Sequence, residues 1–278
     1  MSDTLFCPDT QRMFADAMAA QITAAEANGQ NGRHGDGDLA SRIITDLRTA
    51  PVSPRPVLAA GQTRTVEEHL PRLLEDMPST PLAETLDPFM DSLDWYQIFE
   101  GAGIPTSLAS GLMAAQIVGK RGPLVSSELL FGMFLLAPQV TYPLHQHAAL
   151  EIYCILSGTV AIRHGRAKAA GHIGPGGHSI TPPHQVHELR TGDDPCLIVY
   201  AWTGDMTAEN WWWVQSDEEN WHRQCWVRQP NASWTLARSE PLTNAEVARA
   251  GDIRERCRVF VDLSLIRSDP GQCVDFFT

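Results

Sequence analysis

The chain has 278 residues, enough for one large domain or two modest ones with a sizeable core. Apolar residues make up 43% and charged residues 19%, an ordinary soluble composition, and no run of about 18 uncharged apolar residues exists to span a membrane. The net charge of −12, from 21 basic and 33 acidic residues, disfavours a nucleic-acid groove, which needs clustered Lys and Arg to meet phosphates.

The start "MSDTLFCPDTQRMF" lacks a basic stretch followed by an apolar run, so no secretory signal is read and a cytoplasmic protein is expected. The cysteines at 7, 154, 196, 225, 257 and 273 show no CxxC spacing. Free thiols fit that compartment, with Cys154 and Cys196 expected to be buried in apolar strands.

"TQRMFADAMAAQITAAEANG" is Ala-rich, has apolar residues near helical spacing and ends at Gly29. A polar, Gly-rich loop, "QNGRHGDGD", separates it from a second helical stretch, "DLASRIITDLRTA", with Asp38 as a candidate N-cap. "TVEEHLPRLLEDM" and "TPLAETLDPFMDSLDWYQIF" predict two more helices. Thr65 with Glu68 has capping-box spacing and Thr80 with Glu84 comes near it. Asp94, Trp95 and Tyr96 then read first as helix packing.

Near Arg121 the character changes. "LLFGMFLLAP", "LEIYCILSGTVAIRHG", "GHSITPP", "HELRTG" and "PCLIVYAWTG" are short β-rich runs punctuated by Gly and Pro, the signature of an antiparallel sandwich or small barrel. "RHGRAK", Arg163 to Lys168, reads as a hairpin turn. After Gly204, "NWWWVQSDEENWHRQCW" holds five of the eight tryptophans, more often core, lid or subunit contact than substrate cage. "LTNAEVARAGDIRERC" reads as a helix and "RVFVDLSLI" as a last strand. The predicted class is mainly β with a helical N-terminal part. Its regions are a helical cap over 1–120, a β-barrel core over 121–205 and a Trp-rich extension over 206–278.

The chemistry concentrates in "TYPLHQHAALEIYCILSG". Alternate strand residues share a face, so His145 and His147 point to one side, and Glu151 and Tyr153 keep that parity if the chain stays extended. Two imidazoles and a carboxylate suit a first-row divalent metal. His178, His184 and His187 offer further ligands, with His187 at a strand start after the Pro182-Pro183 turn.

The spacing His145-x-His147-x3-Glu151-x6-Gly158, with Pro182-x4-His187, resembles the two cupin motifs. His184 stands where the second motif usually carries Gly. Tyr142, Tyr153 and Trp202 narrow the resemblance. "Y-x4-H-x3-E-x-Y", "PP-x3-H-x-x-R-T" and "W-x-G-D" look like the bacterial cupin-type dimethylsulfoniopropionate (DMSP) lyases, the Ddd cupin lyases, over roughly Phe131 to Asp205.

That resemblance implies an antiparallel β-barrel, the double-stranded β-helix, under an α-helical cap. It implies a divalent transition metal (iron, manganese, nickel or zinc) held by His145, His147, Glu151 and His187. It implies a β-elimination that splits a small zwitterionic substrate, DMSP, into dimethyl sulfide and acrylate. Tyr153 is the expected base, with Tyr142 assisting and lining the pocket. Trp202, Tyr142, Trp95 and Tyr96 are expected as an aromatic wall for the sulfonium, which aromatic faces attract. Each aromatic also has a plainer reading: Tyr142 at a strand edge, Tyr153 in the barrel core, Trp202 as barrel filling. His178 and His184 read as supporting or surface groups. The same ligand set serves cupin dioxygenases, isomerases and non-catalytic binding modules. A homodimer is compatible with all of these, and no nucleic-acid or membrane partner is expected.

Overall fold

The computed structural model describes residues 6–29, 37–56, 62–217 and 220–256. In chain order they form α1 (Pro8–Ala27), α2 (Gly37–Thr49), β1 (Ser53–Pro54), α3 (Arg64–Glu75), α4 (Pro81–Leu86), a 3-10 turn (Asp87–Ser92), β2 (Trp95–Gln97) and α5 (Thr106–Gly111). The strands β3 (Leu112–Val118), β4 (Leu124–Val125), β5 (Leu129–Leu136), β6 (Thr141–Gln146), β7 (Ala149–Ser157) and β8 (Val160–His164) follow. Then come β9 (Gly171–Ile173), β10 (His178–Thr181), β11 (His187–Thr191), β12 (Cys196–Gly204), β13 (Trp211–Gln215), β14 (Trp221–Arg228), β15 (Trp234–Pro241) and α6 (Asn244–Arg256). The strand expected at "RVFVDLSLI" and most of the loop at "QNGRHGDGD" lie outside the described residues.

The strands make two sheets. One has the order β1-β4-β3-β5-β12-β7-β10, with β2 also on β3; the other runs β15-β14-β13-β6-β11-β8-β9. All pairings are antiparallel except the short β3–β4 contact. In place of a closed barrel, the two sheets face each other without joining into one hydrogen-bonded cylinder among the described residues. Across one seam, the His164 Nε2 of β8 lies 3.1 Å from the Thr181 Oγ1 of β10. The sheets also reach beyond residues 121–205, taking β2 and β3 before them and β13 to β15 after them.

Two apolar clusters explain the strand sequences. One lies between the first sheet and the helices, joining Phe14, Met18, Ile43 and Leu47 to Phe131, Met133, Ile152 and Val199. The other fills the space between the sheets with Phe134, Tyr142, Tyr153, Tyr200 and Trp202. Both faces of β3, β5 and β7 are therefore covered, so every residue of these strands is buried and "LLFGMFLL" shows no polar alternation. Each large side chain so buried contributes about 1.5–3 kcal/mol. Gly158, the glycine of the first motif, has φ 75, and a Cβ there would lie 2.1 Å from the Pro195 carbonyl oxygen. Only Gly fits both demands.

The helical reading of 80–99 needs correction. α4 gives way to the 3-10 turn at Asp87-Pro88, and Trp95–Gln97 pairs with β3 as a strand. Pro88 cannot continue the α-helical ladder, and the aromatic pair beyond it suits a pleated, half-buried surface. The caps shift too. Thr63, not Thr65, caps α3 by accepting from the Val66 N–H, while Thr80 caps α4 through the Ala83 N–H. The Thr65 hydroxyl instead donates to the Ser110 carbonyl. The hairpin turn expected at Arg163–Lys168 does lead from β8 into its antiparallel partner β9. Cys154 and Cys196 are buried free thiols. No described helix is long and apolar enough to cross a membrane.

Candidate metal centre

The chain changes sheets inside the first motif. His145 lies near the end of β6 in the second sheet, and Glu151 lies in β7 of the first. His147 occupies the corner between them. Because the sheets face each other, both strands still turn these groups inward. His187 opens β11 and is the ladder partner of His145, so a residue far along the chain enters the same site.

The donor atoms of His145, His147 and His187 all lie within 4.8 Å of one another, and all three residues are buried. Glu151 joins them with Oε2 3.1 Å from His187 Nε2 and 3.4 Å from His147 Nε2. The other side of each imidazole is tied to the backbone. His145 Nδ1 is 2.7 Å from the Pro143 carbonyl, His147 Nδ1 is 3.1 Å from that of Ala149, and His187 Nδ1 is 2.9 Å from that of Gln185.

A carbonyl can only accept, so each Nδ1 carries the proton and each neutral ring turns a bare Nε2 lone pair inward. Those three Nε2 atoms and Glu151 Oε2 are buried without a hydrogen-bond partner. Lone pairs converging on a carboxylate repel unless a cation lies among them. Three imidazoles and one carboxylate suit a first-row divalent ion, and the backbone bonds to Nδ1 are of the kind that orient metal-ligating histidines. The residues fit a metal.

Electrostatics agree. Burial, then the neighbouring His187 and His147, pushes the His145 pKa well below its ordinary value; burial likewise lowers His147. Burial alone would raise the Glu151 carboxyl, but the two imidazoles outweigh it and hold it well below the usual carboxylate range. His145 and His147 are thus biased toward the neutral form that ligates a metal, and Glu151 toward the carboxylate.

The aromatics divide. Tyr142 stacks on the His145 ring at 3.8 Å, and Trp202 stacks on His147 at 4.1 Å while its Nε1–H donates to Glu151 Oε1. The Tyr142 and Tyr153 hydroxyls are buried without a hydrogen-bond partner, and burial followed by the Glu151 charge raises both pKa values well above the ordinary one. Tyr96 belongs to the same inner cluster, its hydroxyl accepting from Gln116 Nε2 at 3.0 Å. Trp95, one residue before it on β2, faces the opposite cluster under the helices, so the structure does not bring it to the site.

His178, on β10, pairs with Cys154 of β7 and is not among the three clustered histidines. His184 sits in the turn with φ 60, the left-handed conformation that the motif's usual glycine would favour, and its N–H donates to the His147 carbonyl at 2.7 Å. Two neighbours were not singled out from the sequence. Tyr200 is the ladder partner of Tyr153 and stacks on Phe134 at 4.1 Å. Trp212 is the ladder partner of His145. Strand pairing between distant segments put them there, and no local spacing signals it.

The family model of the DMSP lyases matches residues 39–198. A Cereibacter sphaeroides protein named as a candidate DMSP lyase, DddL, is 38% identical over 108 residues, covering 38% of this chain and 45% of the relative. DddQ of Ruegeria pomeroyi, named a DMSP lyase, is 28% identical over 138 residues, covering 47% of this chain and 66% of DddQ. The matched regions thus span less than two thirds of either relative. The crystal structure of Ruegeria pomeroyi DddQ superposes with a TM-score of 0.50 at 21% identity, covering 74% of this chain and 98% of DddQ, and shows a shared fold. The family match runs through more than half of the chain and takes in all four candidate ligands: the chain belongs to the DMSP lyase family.

Proposed function

We propose that the protein is a metal-dependent lyase that splits DMSP into dimethyl sulfide and acrylate. One observation carries the reading: bare Nε2 atoms of three histidines and the Glu151 carboxylate converge in a buried site beside two buried tyrosine hydroxyls. The family match and the two named relatives supply the substrate class.

His145, His147, His187 and Glu151 would hold the ion. A divalent metal held there would supply Lewis-acid polarisation of the substrate carboxylate and a charge that favours the Tyr153 phenolate. Trp202 fixes Glu151 through its indole N–H and braces His147 by stacking. Tyr142 braces His145 in the same way.

The Tyr153 phenol first gives up its own proton to solvent, and the resulting phenolate Oη takes the proton from the substrate Cα. The C–H electron pair becomes the Cα–Cβ double bond, the Cβ–S bond breaks, and dimethyl sulfide leaves with that bond's electrons. Acrylate remains and Tyr153 carries the proton. Trp202, Tyr142 and Tyr96 present aromatic faces to the sulfonium, which has no hydrogen to donate and is held by cation–π attraction. Their burial keeps water from the reacting carbon.

Proton NMR of metal-loaded protein with DMSP tests the reading. Vinyl resonances of acrylate should grow as DMSP falls. Their absence with iron, manganese, nickel and zinc alike would reject it.

A further inference from the structure

The Trp-rich extension grips the strand that carries the histidines. β13 lies beside β6, with Trp211 opposite Gln146 and Trp212 opposite His145. On the inner face, Trp212 meets Tyr142 at 6.4 Å, edge to face, and Tyr142 stacks on His145. On the outer face, Trp213 packs against Leu144 and Val186. Its Nε1–H donates to Gln146 Oε1 at 2.8 Å. Gln146 is the residue between His145 and His147. β11, with His187, holds the other edge of β6. None of the extension lies in the family match, which ends at residue 198.

We propose that Trp213, acting through Gln146, is a positioning residue for the metal site. The bond fixes the residue between the two histidines, so their rings converge before a metal arrives. The surrounding packing makes the constraint effective: Trp213 is buried, with 7% of its surface exposed, and the ladder on each side of β6 leaves the strand little freedom to slide. Ligand supports of this kind typically change metal affinity by 10–100-fold.

The inference rests on the metal reading of the site but not on the lyase reaction. Cobalt(II) titration of the full chain, against a chromophoric chelator, tests it. Trp213→Phe keeps an aromatic ring at the position and removes the N–H; Gln146→Met removes the acceptor. Each should raise the cobalt Kd about tenfold or more, and the double variant should be no worse than either. Trp221→Phe, which alters a neighbouring indole 6.4 Å from Trp213, should leave the Kd unchanged. Thermal midpoints of the metal-free variants separate loss of fold from loss of positioning, and Gln146→Met serves if Trp213→Phe does not fold. Wild-type affinity in the folded single variants, or fully additive losses in the double, overturns the inference alone. A wild type that binds no cobalt overturns the metal reading and this inference together.

Discussion

Replacing Trp202 with Phe would keep an aromatic ring beside His147 and delete the N–H that serves Glu151 Oε1. The Glu151 side chain has no exposed surface, so water cannot take the place of the lost donor. A hydrogen bond to a charged group is worth about 1.5–3 kcal/mol, and an orphaned buried acceptor costs a similar amount. The smaller ring leaves space that costs about 1 kcal/mol more. The metal-free variant should therefore lose about 3 kcal/mol of unfolding free energy. Urea denaturation of the wild type, Trp202→Phe, Glu151→Gln and the double variant isolates the pair. A coupling of about 1–2 kcal/mol is expected, because a neutral amide oxygen still accepts but more weakly. Additivity within about 0.5 kcal/mol would show that the indole does not stabilise the carboxylate, and would refute this part of the site.

Tyr153→Phe should leave metal content unchanged and cut DMSP turnover by roughly 10²–10⁴-fold, the usual worth of a general base; near-normal turnover would remove Tyr153 from that role. Metal-free stability should fall on both sides of neutrality. His145 and His147 have folded pKa values depressed by burial, so below about 6.5 the unfolded chain binds more protons and stability drops as pH falls. Tyr142 and Tyr153 have raised values, so above about 10 the unfolded chain releases protons first and stability drops as pH rises. A metal-free thermal midpoint that climbs between pH 7 and pH 5.5 would contradict this. His184→Gly should gain about 1 kcal/mol, seen as a rise of a few degrees in the thermal midpoint, because a histidine at φ 60 bears steric strain that glycine escapes.

Much of the centre was legible because its signals are local. His145, His147, Glu151 and Tyr153 sit within nine residues, and their shared parity survives the corner at His147 because the two sheets face each other. His187 could be found from a proline at fixed spacing. Gly158 was found by its motif, and its φ and the close Pro195 carbonyl explain why it is glycine.

Other features depend on pairing between distant segments. Trp95 and Tyr96 look equivalent in a row of letters, yet adjacent strand residues face opposite clusters, and only the pairing with β3 makes that segment a strand. The Thr65–Glu68 spacing suggests the α3 cap, but the helix begins at Arg64, so Thr63 makes it instead. "WWWV" carries no alternation, since Trp212 faces inward while Trp213 is buried against α6 and Val186 on the other side. The helices hide the outer face of the first sheet, and so erase the polar residues that would have marked each strand's register.

Headspace dimethyl sulfide from one preparation, chelator-stripped and then reloaded, tests whether this site cleaves DMSP through a bound metal. The stripped chain should release no dimethyl sulfide above the protein-free control. On reloading, dimethyl sulfide and acrylate should appear in equal amounts. Equal rates from stripped and reloaded protein, or no product from either, would contradict it.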